Sequence, residues 1–363
     1  MKFEVNMINV QDGDAIILML EKENRNALIV IDGGYNKYYG KIKRRLEEVL
    51  PRFGNKIDLL VCTHYDNDHL SGVENIIEDY HSIIREIWIH KVEHSLSEQE
   101  KYLNQEISRL QESKDDEKSI KEFSAFDSMD FVLEAYKDLV RVVEKIRAYG
   151  LEDITKEATR GDFLAGFEEF SVISPTKKYY DDYLEELKDE TYLNETKALL
   201  LEHQSEDRSE FAMPKLTEIM EEEIVASNPC EHLKKSSKGV SATNMVSIVT
   251  LLKIDDRKLL FTGDSGIESF TDQGLLDKNI KDLEFLDLSH HGSKYNTSKE
   301  LLEYFNPETV FVSAKNGKNR PSKNIVRCLN EKRTGDNVFV TNKNFDTWYL
   351  KYTNSKNIYR VTI

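Results

Sequence analysis

Two histidines and two aspartates stand within six residues in the segment Thr63-His64-Tyr65-Asp66-Asn67-Asp68-His69-Leu70-Ser71-Gly72. Imidazole and carboxylate are the ligands that borderline cations such as zinc, manganese or iron accept. Two carboxylates this close also suit two metals, because uncompensated buried charge at that density is very costly. The apolar run Ile57–Cys62 precedes the segment and reads as a buried strand. A tight loop at its end would aim these side chains inward together, whereas a helix would spread them around its surface. The alternative is a polar loop with capping aspartates.

Two later segments repeat the pattern. Leu259–Ser265 places Asp264 just beyond an apolar strand and a glycine, and Leu286–Ser293 places His290 and His291 at the end of another. Thr-Gly-Asp alone is a common turn, and His-His-Gly-Ser is less ordinary. Three strand ends that each deliver metal-type ligands make coincidence a poor account.

The elements that must position these residues alternate between strands and helices. Phe3–Val10 alternates apolar and polar residues as a half-buried strand does, and Ala15–Leu20 and Ala27–Ile31 are β-rich runs. The second of these ends in the turn signal Asp32-Gly33-Gly34. Lys41–Leu50 has helical spacing, and Ile84–His90 reads as a strand. Residues 95–161 read as a helical insertion. In it Phe131, Val132, Ala135, Leu139, Val142, Val143 and Ile146 recur at helical spacing before Gly150, a C-cap. Strand texture returns at Phe170–Pro175. A second, acidic helical insertion spans 176–238, and its charge runs read as a solvated helix face rather than a recognition tail. Ser247–Ile254, Lys258–Thr262, Leu283–Leu288, Thr309–Ser313 and Asn337–Thr341 are compact strand-like runs. The whole, 1–363, reads as one decorated domain.

Composition narrows the function. Hydrophobic residues make up 39% of the 363, enough for a core, and the net charge is −16. A surface so acidic repels a polyanion over most of its area, which excludes general nucleic-acid coating but leaves room for a local cationic groove. Cys62, Cys230 and Cys328 are far apart and odd in number, so no disulfide is expected and a reducing cytoplasm fits best. The amino-terminal segment lacks the pattern of a signal peptide, and no apolar stretch approaches the roughly 20 residues that span a bilayer. A soluble cytoplasmic protein without a membrane partner is expected.

The motifs carry a family resemblance. His64–His69 resembles the HxDxDH variant of the metallo-β-lactamase signature, and Val10–Ala15 followed by Ile31–Gly34 resembles that superfamily's first strands. Thr262-Gly263-Asp264 looks like the strand bearing its metal-bridging aspartate. Ser289–Ser293 is similar to the branch that includes the hydrolase domain of the DNA-uptake competence protein ComEC, as is the tail from Val312 to Thr341. The resemblance implies an α/β fold, a four-layer αββα sandwich with helical insertions. It also implies two divalent cations, Zn2+ or Mn2+. By that resemblance His64 and Asp66 hold one cation, Asp68 and His69 the other, and Asp264 bridges them. One of His290 and His291 completes a shell (His291 in the simplest assignment) and the other contacts substrate. Asp68 stands where the family orients the attacking water, so Asp68, His290 and His291 are the catalytic candidates. Asp66 in place of the usual histidine makes the site more oxygen-rich and favours manganese as a competitor to zinc. Asn244 stands where many members carry a further histidine ligand, while His203 and His232, within the second insertion, read as surface histidines. Arg320-Pro321 replaces a His-Pro of relatives, so no proton donor is carried over there.

Phosphodiester hydrolysis is the favoured chemistry. A carboxylate-rich site suits phosphate oxygens, and Lys315, Lys318, Arg320 and Lys323, with Lys294 beside the His-His turn, supply cations that could clamp one. Asn244, Lys294, Lys315 and Arg320 are the substrate-binding candidates. The expected partner is a phosphodiester, as single-stranded nucleic acid or a small nucleotide, with a protein partner for the acidic insertions as a further option. Rival readings are a hydrolase of lactones, thioesters or amides, and a non-catalytic metal-stabilised interaction module.

Overall fold

The computed structural model describes residues 1–90, 138–188, 227–237, 240–276, 280–315, 320–331, 338–341, 347–352 and 358–362. An antiparallel meander opens the chain: β1 (Lys2–Ile8), β2 (Ile16–Lys22) and β3 (Arg25–Ile31). Helical crossovers then add parallel neighbours. α1 (Tyr39–Val49) leads to β4 (Leu59–Val61), α2 (Asn67–Tyr80) to β5 (Ile87–Trp88), and a helix over residues 138–148, α3, to β6 (Thr155–Lys156). With β14 (Thr347–Tyr352) and β15 (Ile358–Thr362) on the far side of β1, the sheet order is β15-β14-β1-β2-β3-β4-β5-β6.

The second sheet repeats this plan. β7 (Phe163–Leu164), β8 (Phe167–Ser174), β9 (Val249–Ile254) and β10 (Arg257–Phe261) are antiparallel, and β11 (Phe285–Asp287), β12 (Thr309–Val312) and β13 (Val338–Val340) join in parallel, in the order β13-β12-β11-β10-β9-β8-β7. α4 (Lys177–Lys188) follows β8, α5 (Lys299–Phe305) precedes β12 and α6 (Lys323–Glu331) precedes β13.

Continuous apolar strands explain the layering, because a strand apolar on both faces must be covered twice. In β3, Ala27, Ile29 and Ile31 face the second sheet, whereas Leu28 and Val30 face α1, α2 and α3. In β12, Phe311 faces the first sheet, and Val310 and Val312 face α5 and α6. Between the sheets, successive ring contacts run Trp88–Phe170–Phe261–Phe285–Phe311 with centroids 5.0 to 6.4 Å apart. The result is the four-layer αββα sandwich that the resemblance implied.

Three readings change. β1 is buried on both faces rather than half-buried, because Arg45 of α1 lies over it and donates to Asn6 at 2.7 Å and Glu4 at 3.1 Å. α2 begins at Asn67, so Asp68 and His69 lie in a helix and not in a loop; as neighbours in its first turn they are about 100° apart around the axis, and both still reach the site. Cys230 and Cys328 form a disulfide across 98 residues of sequence, with Cα atoms 4.9 Å apart, and only Cys62 stays free. Spacing could not reveal that pair, because α6 and the turn Pro229–His232 meet only through the fold. The cysteine argument for a reducing compartment falls with it.

Leu139, Val142, Val143 and Ile146 of α3 pack in the same core as α1 and α2, and Phe131, Val132 and Ala135 lie outside the described residues. His203 lies outside them as well, and His232 is exposed. No helix among the described residues is long and apolar enough to cross a membrane.

The disulfide closes a long loop, for which chain-entropy reasoning gives about 4–5 kcal/mol. Reductant, or Cys328→Ser, is therefore expected to lower the melting temperature by roughly 5–10 °C in a calorimetric scan. Equal melting with and without reductant would show that the pair contributes nothing in solution.

Candidate metal centre

Parallel strands in both sheets end at one edge of the sandwich, and the ligand-type residues gather there. β4 runs directly into Thr63 and His64, β10 into Thr262–Asp264, and β11 into Ser289–His291. Two backbone bonds tie the ends together: Ile248 N–H donates across the sheets to the Thr63 carbonyl at 2.9 Å, and within the second sheet His290 N–H donates to that of Gly263 at 3.1 Å.

α2 is seated by backbone contact. Gly33 N–H donates to the His69 carbonyl at 2.8 Å, and Gly72 N–H donates to that of Gly34 at 2.9 Å. A Cβ on Gly72 would lie 1.8 Å from the Gly33 oxygen, so neither glycine has room for a side chain. Asp66 is the N-cap residue of α2 but makes no side-chain capping bond, which removes the capping alternative for it.

The Asp264 carboxylate divides the site. Oδ2 faces His64 Nε2 at 3.8 Å and His290 Nε2 at 3.1 Å, and Asp66 Oδ2 stands 3.7 Å from the same His64 nitrogen. Oδ1 faces His69 Nε2 at 3.3 Å and His291 Nε2 at 3.7 Å, with Asp68 Oδ2 at 4.0 and 3.2 Å from those two nitrogens. Donor atoms converge in the groups His64/His69/Asp264, Asp68/His69/His291 and Asp14/Asp264/His291.

Outer partners turn the histidines so that Nε2 points inward. His69 Nδ1 bonds Asp32 Oδ2 at 2.8 Å, and the same aspartate accepts from Thr63 N–H and Thr63 Oγ1, each at 2.7 Å. With its proton committed to Asp32, Thr63 Oγ1 accepts from His64 Nδ1 at 3.0 Å. His290 Nδ1 meets Asn296 Oδ1 at 2.7 Å, and the Asn296 amide is oriented because its nitrogen donates to the Asp264 and Ser265 carbonyls. Asn296 therefore accepts, and His290 carries its proton on Nδ1.

The His-His-Gly turn is strained. His290 and His291 have φ of 56° and 54°, left-handed values that cost about 1–3 kcal/mol each for a residue with a side chain. Ser293 N–H to the His290 carbonyl and Ser322 N–H to that of Gly292 brace it.

The arrangement fits cations. Asp14, Asp32, Asp66, Asp68 and Asp264 are all buried here with one guanidinium, Arg320. Divalent cations would carry the charge that balances such a set, and the cost of burying it bare would be several kcal/mol per charge. His64 Nε2 and His69 Nε2 are buried without a hydrogen bond among the described residues, their approaches to carboxylates being too long or misaligned. The charge excess appears in the protons as well. Burial pushes His69 and His291 toward the neutral form, but the carboxylates outweigh it: Asp264, Asp32 and Asp68 raise His69 well above the ordinary range, and Asp264, Asp14 and Asp68 raise His291 to about 9. Burial, then the charges of Asp14 and Asp32, raise Asp287.

His64, Asp66, Asp68, His69, Asp264, His290 and His291 thus meet at one place. Of the substrate-binding candidates, Asn244 Nδ2 reaches Asp264 at 3.3 Å and His290 Nε2 at 3.5 Å, and an Arg320 Nη lies 3.3 Å from that Nε2. Lys294 lies over the Tyr295 ring at 5.1 Å, Lys315 is anchored through its N–H to Asp12, and Lys323 is exposed at the start of α6. Lys318 lies outside the described residues. Sequence reasoning missed Asp14, Asp32, Thr63 and Asn296 as members of the site. Asp32 stood in a turn signal and Asp14 in the segment that resembles the superfamily's first strands, neither with a role in the site, and Asn296 carried no signal.

Residues 17–154 match the model of the metallo-beta-lactamase superfamily. That span contains His64, Asp66, Asp68 and His69 and ends before the strands that bring Asp264, His290 and His291. A search of curated proteins found no match.

Cation uptake must displace the protons on His69 and His291. Apparent affinity is therefore expected to rise with pH toward about 9, at up to tenfold per unit for each proton released. The raised value also means that protonated His291 stabilises the metal-free fold below about 6.5, a contribution lost as pH climbs through about 9. Titration calorimetry in buffers of different ionisation enthalpy counts the protons, and uptake without proton release would contradict the assignment.

Proposed function

We infer that the chain is a metal-dependent hydrolase whose preferred substrate is a phosphodiester. The observation that carries this reading is the Asp264 carboxylate, whose oxygens serve two adjoining pockets. His64 and Asp66 would hold one cation and Asp68, His69 and His291 the other, with Asp264 shared; Zn2+ and Mn2+ both suit such nitrogen and carboxylate donors. Divalent cations there would acidify water and neutralise charge on an attacked phosphoryl group.

The chain's own residues account for orientation and proton handling. Asp68 is buried at the mouth of α2, where a carboxylate can accept a proton from water. His291 belongs to the converging donor groups, whereas His290, whose Nε2 also stands 3.1 Å from Asp264 Oδ2, has Arg320 and Asn244 beside that nitrogen, and on this ground His290 is the substrate-contacting member of the pair. Its Nδ1 proton is committed to Asn296, leaving Nε2 to accept or return a proton at a substrate oxygen. Arg320 offers a planar fork matched to non-bridging phosphoryl oxygens, and Asn244 adds a neutral donor. Among the described residues Arg320 is the guanidinium at this carboxylate-rich centre, and in an acidic protein that favours a narrow entrance, accepting one strand or a small nucleotide. The nuclease setting follows from the resemblance of Ser289–Ser293 to the ComEC branch.

Bis(p-nitrophenyl) phosphate assayed beside a lactone panel tests the substrate class. Turnover of the phosphodiester is expected with Mn2+ or Zn2+, together with a loss of at least about a thousandfold in Asp264→Asn. Hydrolysis confined to lactones would remove the phosphodiester reading. Elemental analysis is expected to find between one and two transition-metal ions in the wild type and to show most of them lost in Asp68→Ala/His69→Ala; equal metal content would remove the metal centre.

A further inference from the structure

Three of the four inward-facing histidines have an outer partner at hydrogen-bond distance, and His291 has a different kind of neighbour. Its Nε2 faces Asp68 at 3.2 Å and Asp264 at 3.7 Å, whereas its Nδ1 faces Asp14 Oδ1 at 3.5 Å. That Nδ1 is buried and makes no hydrogen bond to another group among the described residues. Asp14 is itself buried, and its other oxygen stands 4.0 Å from His69 Nδ1, on the outer side of that ring too.

The placement of Asp14 is enforced by the backbone of the β1–β2 turn. Asp14 N–H donates to the Asp68 carbonyl at 3.2 Å, and a Cβ on Gly13 would sit 2.4 Å from that same oxygen, so the turn can dock on α2 only with glycine there. Ser313 Oγ donates to the Gly13 carbonyl, and Asp12 accepts from Lys315 N–H at 2.8 Å, which pins the turn to the exit of β12 as well. The turn therefore reaches both sheets, and its carboxylate lands behind the one histidine that the strained His-His-Gly turn leaves without an outer acceptor.

We propose that Asp14 is a positioning residue that holds His291 with its proton on Nδ1, so that Nε2 is presented to the pocket formed by Asp68, His69 and Asp264 Oδ1. Partners of this kind fix the tautomer and raise the basicity of a metal-ligating imidazole, and their loss commonly weakens metal affinity by 10- to 100-fold. The inference rests on the metal-centre reading but adds a residue to it. It also assigns Asp14 to one pocket only, because the histidine of the other pocket, His64, is oriented through Thr63.

The test is Co2+ titration of the full chain, followed by visible absorbance with metal content by mass spectrometry, for the wild type, Asp14→Asn and Asp14→Ala. Two equivalents are expected in the wild type. Asp14→Ala is expected to bind one of them about 10- to 100-fold more weakly with the other unchanged. Asp14→Asn, which keeps an acceptor oxygen for Nδ1–H, is expected to lose less, and the absorbance at saturation should keep its wild-type intensity. Melting of the three metal-free proteins checks that the asparagine variant folds. Unchanged affinities in Asp14→Ala overturn the inference alone. So does an equal loss in both variants with a changed saturated spectrum, which would make Asp14 a direct ligand. A wild type that binds no cation overturns the metal-centre reading, and this inference with it.

Discussion

A carboxylate at the meeting point of two sheets needs compensation, and Asp264 is fully buried there with four histidines and four other aspartates around it. Coulomb energy between such groups is large because the surroundings are dry, and the same dryness makes a bare set of them intolerable. The protein answers in part with protons, which is why His69 and His291 are pushed upward despite burial that favours the neutral ring. Protons are an inferior answer. They leave His64 Nε2 and His69 Nε2 without hydrogen bonds, and each such buried group costs about 1–3 kcal/mol. Divalent cations satisfy both demands, supplying charge and accepting the nitrogen lone pairs, so the electrostatics and the hydrogen-bond accounting favour the same occupant.

That accounting depends on an outer ring of ordinary hydrogen bonds. A histidine with the wrong tautomer would point a proton at the pocket, and a cation would then be repelled rather than bound. Asp32, Thr63 and Asn296 prevent this by accepting the Nδ1 protons, and they are themselves fixed by backbone groups: Thr63 N–H on Asp32, and two carbonyls on Asn296. The inner geometry is thus set by residues one layer behind the converging donor atoms. Strain at His290 and His291 belongs to the same economy, since the left-handed turn persists only because Gly263 and Ser322 hold it from both sides.

Legibility in the sequence follows locality. Strands such as Ala27–Ile31 and Leu259–Phe261 are readable because double-sided burial demands unbroken apolar runs, and His64–His69 is readable because its chemistry is contiguous. Where strands end on turns with glycine, ligand-type residues could be noticed one strand at a time, as at Asp264 and His291. Other features depend on approach between distant segments. The Cys230–Cys328 pair, Asp14 behind His291, and Asn296 beneath His290 are each made by tertiary docking, and no spacing rule encodes them. The start of α2 was misread for a subtler reason: a polar, aspartate-rich stretch satisfies loop chemistry and the first turn of a helix equally well. Helical seating is in fact what fixes Asp68 and His69, since Gly33 and Gly72 bring α2 into backbone contact with the exit of β3.

The span that matches the superfamily model ends at residue 154, and the division is physically informative. It includes most of β2, then β3 to β5 with α2, which bring His64, Asp66, Asp68 and His69 to the edge of the sandwich. Alone, that cluster has histidines and aspartates but no shared carboxylate between them. The second sheet supplies Asp264, His290 and His291, and it can do so only if β10 and β11 end level with β4, a register set by the aromatic layer between the sheets and by the Ile248–Thr63 bond. Closing the sandwich and assembling the centre are therefore the same event. A substitution that shifts Phe261 or Phe285 would move Asp264 away from His64 and His69 without touching a ligand, so the hydrophobic core acts on the chemistry through position alone.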